Sequence, residues 1–479
     1  MNAILTLLSL VVCGLIVVAV PFLAGPNINE YGATPLTVFD TSKAVLMCAA
    51  FAGLGGLYAY RQGPEGKFLL RIFLAALLIR MLLGSTIFIF NAQEFFGGDA
   101  FAYDYIGFAQ LQAWAGEKQY QSIVDLFVTD VGSSAWGMIY FVAAVYAVIG
   151  RNMLAIQFIN AVLGALTAPI IFLCAQHVFN NQRVARFAGI AVAFYPSLVL
   201  WSSQGLKDGP IVFFLALSIL ATLKLGQRFS WKYIVVLICS LLALLSLRFY
   251  VFYMICVAIV GAFVIGMQAL SATGFVRQFA AILLLGLALT YVGVTRSAQV
   301  QFETFGNLQR VQQSRSALAR TAESGFGRDV DVSTTGGALS TIPIGILYLL
   351  FAPFPWQVVS LRQSITLPEM IIWWASFPLL VLGLWYAMKY RLRMISPILI
   401  FTVMLSVAYS VFQGNVGTAY RQRAQLLVFY FIFVAVGLEL VVEKREEVKR
   451  RRELQRQELE AKRNARVGAR AVPQIKHMT

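Results

Sequence analysis

Asp99 and Asp104 stand five residues apart in "NAQEFFGGDAFAYDYIGFAQ" (91–110), directly after an apolar run long enough to cross a membrane. A loop at that place needs only polarity, whereas this one carries acids at fixed spacing with glycines before them and aromatic residues around them. Further along come Lys207 and Asp208 in the turn "SSQGLKDG", Arg248 between two apolar runs, and Arg421 with Arg423 in "GNVGTAYRQR". Arginine and lysine hold a phosphate at lipid-headgroup depth, and a carboxylate can take the proton of an attacking hydroxyl. Where the leaving group is a lipid phosphate, it needs charge stabilisation more than a general acid. The set therefore suits attack of an acceptor hydroxyl on the anomeric carbon of a lipid-phosphate-linked sugar. Asp99 and Asp104 are the candidate catalytic acids. Tyr103, Lys207, Asp208, Arg248, Arg421, Arg423 and Arg80 are the candidate substrate contacts.

Each residue also has a plain structural reading. An Asp after Gly-Gly can cap the helix that "GGDAFAYDYIGFAQLQAW" predicts, and Asp104 lies inside that helix. Lys207 and Asp208 can simply solvate a tight turn. Arg80 sits in the middle of an apolar segment, where a charge is either functional or a buried, partnered arginine.

The elements that must position these residues are membrane helices. Of 479 residues, 59% are hydrophobic and 13% charged, about half the charged fraction of a soluble domain. The apolar residues fall in continuous runs: 3–24, 43–60, 68–90, 152–177, 187–203, 210–226, 233–268 broken at Arg248, 280–294, 370–388, 395–413 and 425–442. Most approach the roughly 20 residues that cross ~30 Å of hydrocarbon, and none alternates as the strands of a barrel would. The fold expected is all-α, a polytopic transmembrane bundle of about 11–13 helices at that length per crossing, with surface-lying helices in the first outer loop. The first run has no Lys or Arg ahead of its apolar core and reads as a retained helix, not a signal peptide.

The five cysteines all lie inside apolar runs as packing residues, and the two histidines, His177 and His477, leave no basis for a histidine triad or histidine-rich metal site. The basic loops "RQGPEGK", "QRVAR", "QRFSWK" and "KYRLR" and the basic tail read as cytoplasmic. That puts 91–136, 202–209, 295–340 and 414–423 on the outer face. It also requires 137–150 to lie along the surface and 343–357 to dip in and return; if both instead cross the membrane, residues 151–340 reverse orientation, and the sequence alone does not choose between the two. Residues 1–442 then form the membrane domain and 443–479 a cytoplasmic tail. Loop 295–340, with its Gly, Ser and Thr-rich end, suits a flexible cover over a groove, and the aromatics of "FAPFPW" and "IIWWASF" suit an interfacial belt. Acids interspersed in the tail and its lack of aromatic residues argue against nucleic acid as a partner.

"GGDAFAYDYIGFAQ" after a first outward crossing resembles the first outer loop of the GT-C superfamily, membrane glycosyltransferases that use polyprenyl-phosphate sugars, among them protein O-mannosyltransferases and the lipid A aminoarabinose transferase. "AFYPSLVLWSSQGLKDGPIVFF" (193–214) resembles a later segment of the same superfamily, and "GNVGTAYRQR" its arginine-bearing last outer loop. The resemblance implies Asp99 as the base of an inverting transfer in surface-polysaccharide or glycoconjugate assembly, with Lys207, Arg248, Arg421 and Arg423 on the lipid phosphate. It also implies a polyprenyl-phosphate-linked sugar as donor, a glycan or lipid as acceptor, membrane lipid as surroundings, and a multi-pass place in the inner (plasma) membrane. The chain departs from the pattern at Ala100, where many relatives carry an acid. No cofactor is implied; a divalent metal is possible but not indicated. Two other functions fit less of the pattern: an O-antigen-type polymerase or ligase, in which Arg310, Arg315 and Arg320 would join Arg421 and Arg423, and a lipid-linked-sugar flippase.

Overall fold

The computed structural model describes residues 2–24, 36–129, 136–266, 307–321, 324–327, 330–358 and 360–470, with isolated positions between 276 and 291. Part of the expected run 280–294, much of the start of loop 295–340 and the tail beyond residue 470 lie outside the described residues.

Helices α1 (Asn2–Leu23), α2 (Val38–Tyr60) and α3 (Gly66–Ile89) come first. Thr37 and Asp40 close a capping box on α2, each side chain accepting from the other's backbone N–H at 3.2 Å. The segment after α3 folds into α4 (Gln93–Gly97), α5 (Asp99–Trp114) and α6 (Lys118–Val124), and α7 (Trp136–Ile149) packs on α5 and on α12. With 14 residues, α7 is only ~21 Å long.

Helix α8 (Met153–Phe179) is the axis of the bundle, 89% buried along its most apolar stretch, with α2, α3, α9 (Gln182–Phe194) and α11 (Asp208–Gln227) around it. Pro196 starts α10 (Pro196–Ser202) at 54° to α9. Proline has no N–H to continue the helical ladder, so the chain bends there. Next come α12 (Trp231–Leu247) and α13 (Phe249–Ile265), separated by Arg248 alone. Arg248, at φ −160°, ends one helix and begins the other: its N–H donates to Leu244 O at 2.7 Å and its C=O accepts from Val251 N at 3.1 Å.

The remaining elements are α14 (Leu308–Thr321), α15 (Thr335–Phe351), α16 (Leu367–Phe412), α17 (Val416–Gln422) and α18 (Ala424–Arg470). Helix α16 leaves helical geometry at Arg391. Its first half runs with α18, Trp373 beside Tyr430 and Leu379 beside Gly437, and its second half runs against it, Phe401 beside Phe429 and Tyr409 beside Gln425. The two expected runs 370–388 and 395–413 are thus separate passages folded back at "KYRLR". Among the described residues, six helices are long and apolar enough to cross a membrane, seven if α9 and α10 make one span, and shorter apolar helices fill out the bundle. The chain is a polytopic all-α membrane bundle, as its sequence pattern predicts.

Three local expectations differ from the structure. Residues 335–340 are not a loose cover but the first turns of α15, capped by Thr334, whose hydroxyl accepts from Gly337 N at 3.2 Å. The stretch expected to dip and return is one helix that takes Pro343 within it, then a short 3₁₀ turn, Pro355–Gln357. Trp373, expected in an interfacial belt, is buried, and its indole N–H donates to Leu350 O at 2.7 Å while Trp374 donates to Phe351 O at 3.2 Å. They satisfy carbonyls that every helix leaves open at its C-terminus.

Candidate active site

Four separated segments bring their charges to one end of the bundle. Arg421 on α17 is the hub. Its Nη1 donates to Asp99 Oδ2 at 2.7 Å, and its Nε and Nη2 both meet Asp208 Oδ2, at 2.8 and 2.6 Å. Arg248 Nη2 lies 3.5 Å from the other oxygen, Asp208 Oδ1. The chain Asp99–Arg421–Asp208–Arg248 thus alternates in sign. It grades from solvent to interior: the Asp99 side chain is 53% exposed and that of Asp208 2%.

The local folding explains the convergence. Asp99 is the first residue of α5, after a Gly98 cap without a side-chain bond. One carboxylate oxygen, Oδ2, is paired with Arg421, so the side chain turns toward the cluster and does not cap the helix. Tyr103 follows one turn later on the same face. Burial, then the nearby Asp99 and Asp208 charges, hold its phenol above the ordinary range. Lys207 and Asp208 sit at the start of α11, beyond a turn that Asn160 fixes by donating from Nδ2 to Gln204 O (2.8 Å) and Leu206 O (2.7 Å). Gly84 lets α3 pass against that turn, since a Cβ there would stand 2.7 Å from Ser203 O.

Burial, then the Arg248 charge, push the Lys207 ammonium down to about 7, with Asp208 opposing them. For Arg421, burial works against the charge, but Asp208 and Asp99 outweigh it and keep the guanidinium firmly protonated. Three cations face two carboxylates, leaving one net positive charge when Lys207 is protonated.

Trp201 on α10 lies under Arg421, 5.6 Å from guanidinium to ring centre. Tyr250 lies 5.8 Å from Arg248 and reaches Tyr409 at 3.4 Å between hydroxyls. None of these three was a candidate by sequence. Trp201 stands within the quoted "LWSSQGLKDG", but an aromatic at that spacing carries no signal of its own.

Three expected site residues are elsewhere. Asp104 lies five positions after Asp99, roughly 140° around the helix, so it faces away. It is buried, accepting from Tyr146 Oη on Oδ1 and from Arg151 Nε at 3.0 Å on Oδ2. Both oxygens are occupied in tying α5 to the α7–α8 corner, away from the Asp99–Arg421–Asp208–Arg248 cluster. Asp104→Asn is expected to lower stability by about 1.5–3 kcal/mol, the range for a hydrogen bond to a charged group, while turnover per folded molecule stays unchanged; denaturation and assay of the same sample check both.

Arg80 is buried below the α9–α10 bend, donating from Nη1 to Ala193 O (2.8 Å) and Ala76 O (3.0 Å) and from Nε to Ser202 Oγ (2.8 Å). It supplies a donor to Ala193 O, freed at the Pro196 break, and a second to Ala76 O within its own helix, and so is engaged with backbone away from the cluster. Arg423, two residues after Arg421 and so about 200° around from it, donates to Leu349 O and Ala352 O at the end of α15. Of the arginines that the polymerase reading requires, Arg315 is likewise buried and bound to Val411 O (3.0 Å) and Gln413 O (2.6 Å), while Arg310 and Arg320 are exposed.

A family model described as dolichyl-phosphate-mannose-protein mannosyltransferase matches residues 134–295. The match takes in Lys207, Asp208 and Arg248 and stops short of Asp99 and Arg421. Two solved structures from Archaeoglobus fulgidus show similarity. An oligosaccharyltransferase in the apo form aligns with TM-score 0.43 and 14% identity over 78% of this chain and 51% of its own. The oligosaccharyltransferase AglB in complex with an inhibitory peptide and a dolichol-phosphate aligns with TM-score 0.40 and 13% identity over 66% and 43%. The chain spans about half the length of these structures. No curated protein matches it.

Proposed function

We propose that this chain is a membrane glycosyltransferase of the GT-C kind that moves a sugar from a polyprenyl-phosphate donor to a hydroxyl of a glycan or lipid acceptor, with inversion at the anomeric carbon. The observation that carries the reading is Arg421 held between a half-exposed and a buried carboxylate. Asp208 needs no proton to do its work: it fixes Arg248 and Arg421 so that their remaining N–H groups, with Lys207, can receive a phosphate. Asp99, the acid open to solvent, is the group an acceptor hydroxyl can reach. In the transfer the hydroxyl oxygen bonds to the anomeric carbon, the bond from that carbon to the phosphate oxygen breaks with its electrons passing to the phosphate, and Asp99 takes the hydroxyl proton. The phosphate gains one negative charge as it leaves, and the cations stabilise it at that moment.

The cluster and the basic end of α18 lie at opposite ends of the molecule, Arg421 just before α18 and "EKREEVKRRR" beyond its apolar part. With the tail cytoplasmic by the positive-inside rule, the cluster faces outward across the inner membrane. Expected donors are then lipid-linked sugars presented on that face.

Purified protein in lipid, given a labelled polyprenyl-phosphate sugar and a crude acceptor extract, is expected to release label from the lipid; a wild-type protein that leaves all label in place would overturn the reading. The same assay tests the role of Lys207. Its ammonium is charged below about 7 and neutral above, so donor capture weakens as pH rises through that value. A bound phosphate favours the charged form, so the fall appears in kcat/KM and not in kcat. Lys207→Arg, charged throughout, is expected to lose that fall; superimposable profiles for variant and wild type would remove Lys207 from the phosphate site.

A further inference from the structure

We propose that the chain holds a second anion site, for a phosphate group, at the end of the bundle away from the candidate active site. A cavity of about 420 Å³ opens between the C-terminal ends of α8 and α11 and the bend of α16. Its polar lining is Gln176, His177, Asn180, Lys224, Gln227 and Arg391, with no carboxylate among the lining residues. Among the described residues, neither Lys224 nor Arg391 is in an ion pair. By contrast, Arg183 and Arg186 near the same end are matched to Glu439, Glu446 and Glu65.

Helix dipoles account for part of this arrangement. Lys224 lies in the last turn of α11, where positive charge is favoured, and His177 lies in the last turn of α8. They do not account for Arg391, which comes from a third helix and stands where α16 departs from helical geometry, at φ −133° and ψ 17°. The fold-back of α16 thus delivers a guanidinium to a recess already bearing an ammonium. Gln176 adds a buried Oε1 without a hydrogen-bond partner; with its amide turned end for end it presents N–H donors there.

The size is in the range of ligand clefts, ~300–1,000 Å³, and the donors suit one class of ligand. A guanidinium grips two oxygens of a phosphate, an ammonium meets a third as a point charge, and amides serve the rest. Position narrows the source. Helix α11 has 20 residues, so its two ends are ~30 Å apart at 1.5 Å per residue. With Asp208 at one boundary of the hydrocarbon, Lys224, 16 residues on and so ~24 Å away, extends its ammonium toward the other, where the phosphates of the opposite leaflet lie. The phosphate is therefore that of an anionic lipid headgroup or of a soluble ester reaching the same layer.

The full chain in lipid-depleted micelles distinguishes these by thermal unfolding with added phosphatidylglycerol, phosphatidylcholine or inorganic phosphate. The wild type is expected to gain a saturable rise in Tm, and Lys224→Gln combined with Arg391→Gln to lose it. The charge-keeping pair Lys224→Arg with Arg391→Lys is expected to retain the rise, as is the tail pair Lys449→Gln with Arg450→Gln, which separates the cavity from general charge attraction. A rise with phosphatidylglycerol alone supports a lipid headgroup; one with inorganic phosphate, also lost in the glutamine pair, supports a soluble phosphate. The proposal is overturned if the glutamine pair responds as the wild type does, if the tail pair loses the response equally, or if the wild type responds to no anion.

Discussion

Asp99→Asn is expected to lower kcat for sugar transfer by about 10²–10⁴, the usual contribution of a positioned general base, with little change in donor KM. The amide keeps the shape of the side chain and can still accept a hydrogen bond from Arg421, but cannot take up the acceptor's proton. In the proposed mechanism donor capture rests on Lys207, Arg248 and Arg421, which the substitution leaves in place. Stability should hardly move, because half the Asp99 side chain is exposed and ion pairs in contact with water contribute about 0–1 kcal/mol. The measurement is release of label from a polyprenyl-phosphate sugar alongside unfolding of the same preparation. Full turnover in the variant would reduce Asp99 to a latch for Arg421 and leave the transfer without a base.

Asp208→Ala has the opposite signature. This carboxylate is 2% exposed and meets two guanidinium groups. Removing it leaves Arg248 and Arg421 facing each other out of water, and deleting one partner of a buried ionic set typically costs about 3–5 kcal/mol. Chemical denaturation in micelles should show that loss, with activity falling because both arginines lose their fixed positions. Asp208→Asn, of the same shape, isolates the charge. If either variant unfolded like the wild type, the buried network would not be what positions the cations.

The two substitutions separate what the sequence made legible from what it did not. The bundle was readable because continuous apolar runs have one stable solution in lipid. The convergence of Asp99, Lys207, Asp208, Arg248 and Arg421 was readable because isolated charges beside such runs are expensive unless used. What could not be read was direction around a helix. Arg421 and Arg423 look equivalent in "YRQR", yet two residues of rotation send one to the carboxylates and the other to the carbonyls that end α15. Asp104 fails as a candidate by the same geometry. Arg80 and Arg315 show a second blind spot: each also serves a carbonyl at the end of another helix, Ala193 O and Val411 O, far away in sequence. A fold-back such as that at Arg391 leaves only a basic pentapeptide as its trace.

The unbroken course of α18 bears on the tail. Residues 443–470 continue the last membrane helix without a joint, and 28 residues at ~1.5 Å each reach about 42 Å. Physiological salt screens charges over about 8 Å, so beyond the first turns this rod is electrostatically invisible to the headgroups beneath it. Its arginines can anchor the topology from their first few positions, while the remainder stands beyond the reach of the headgroup charge.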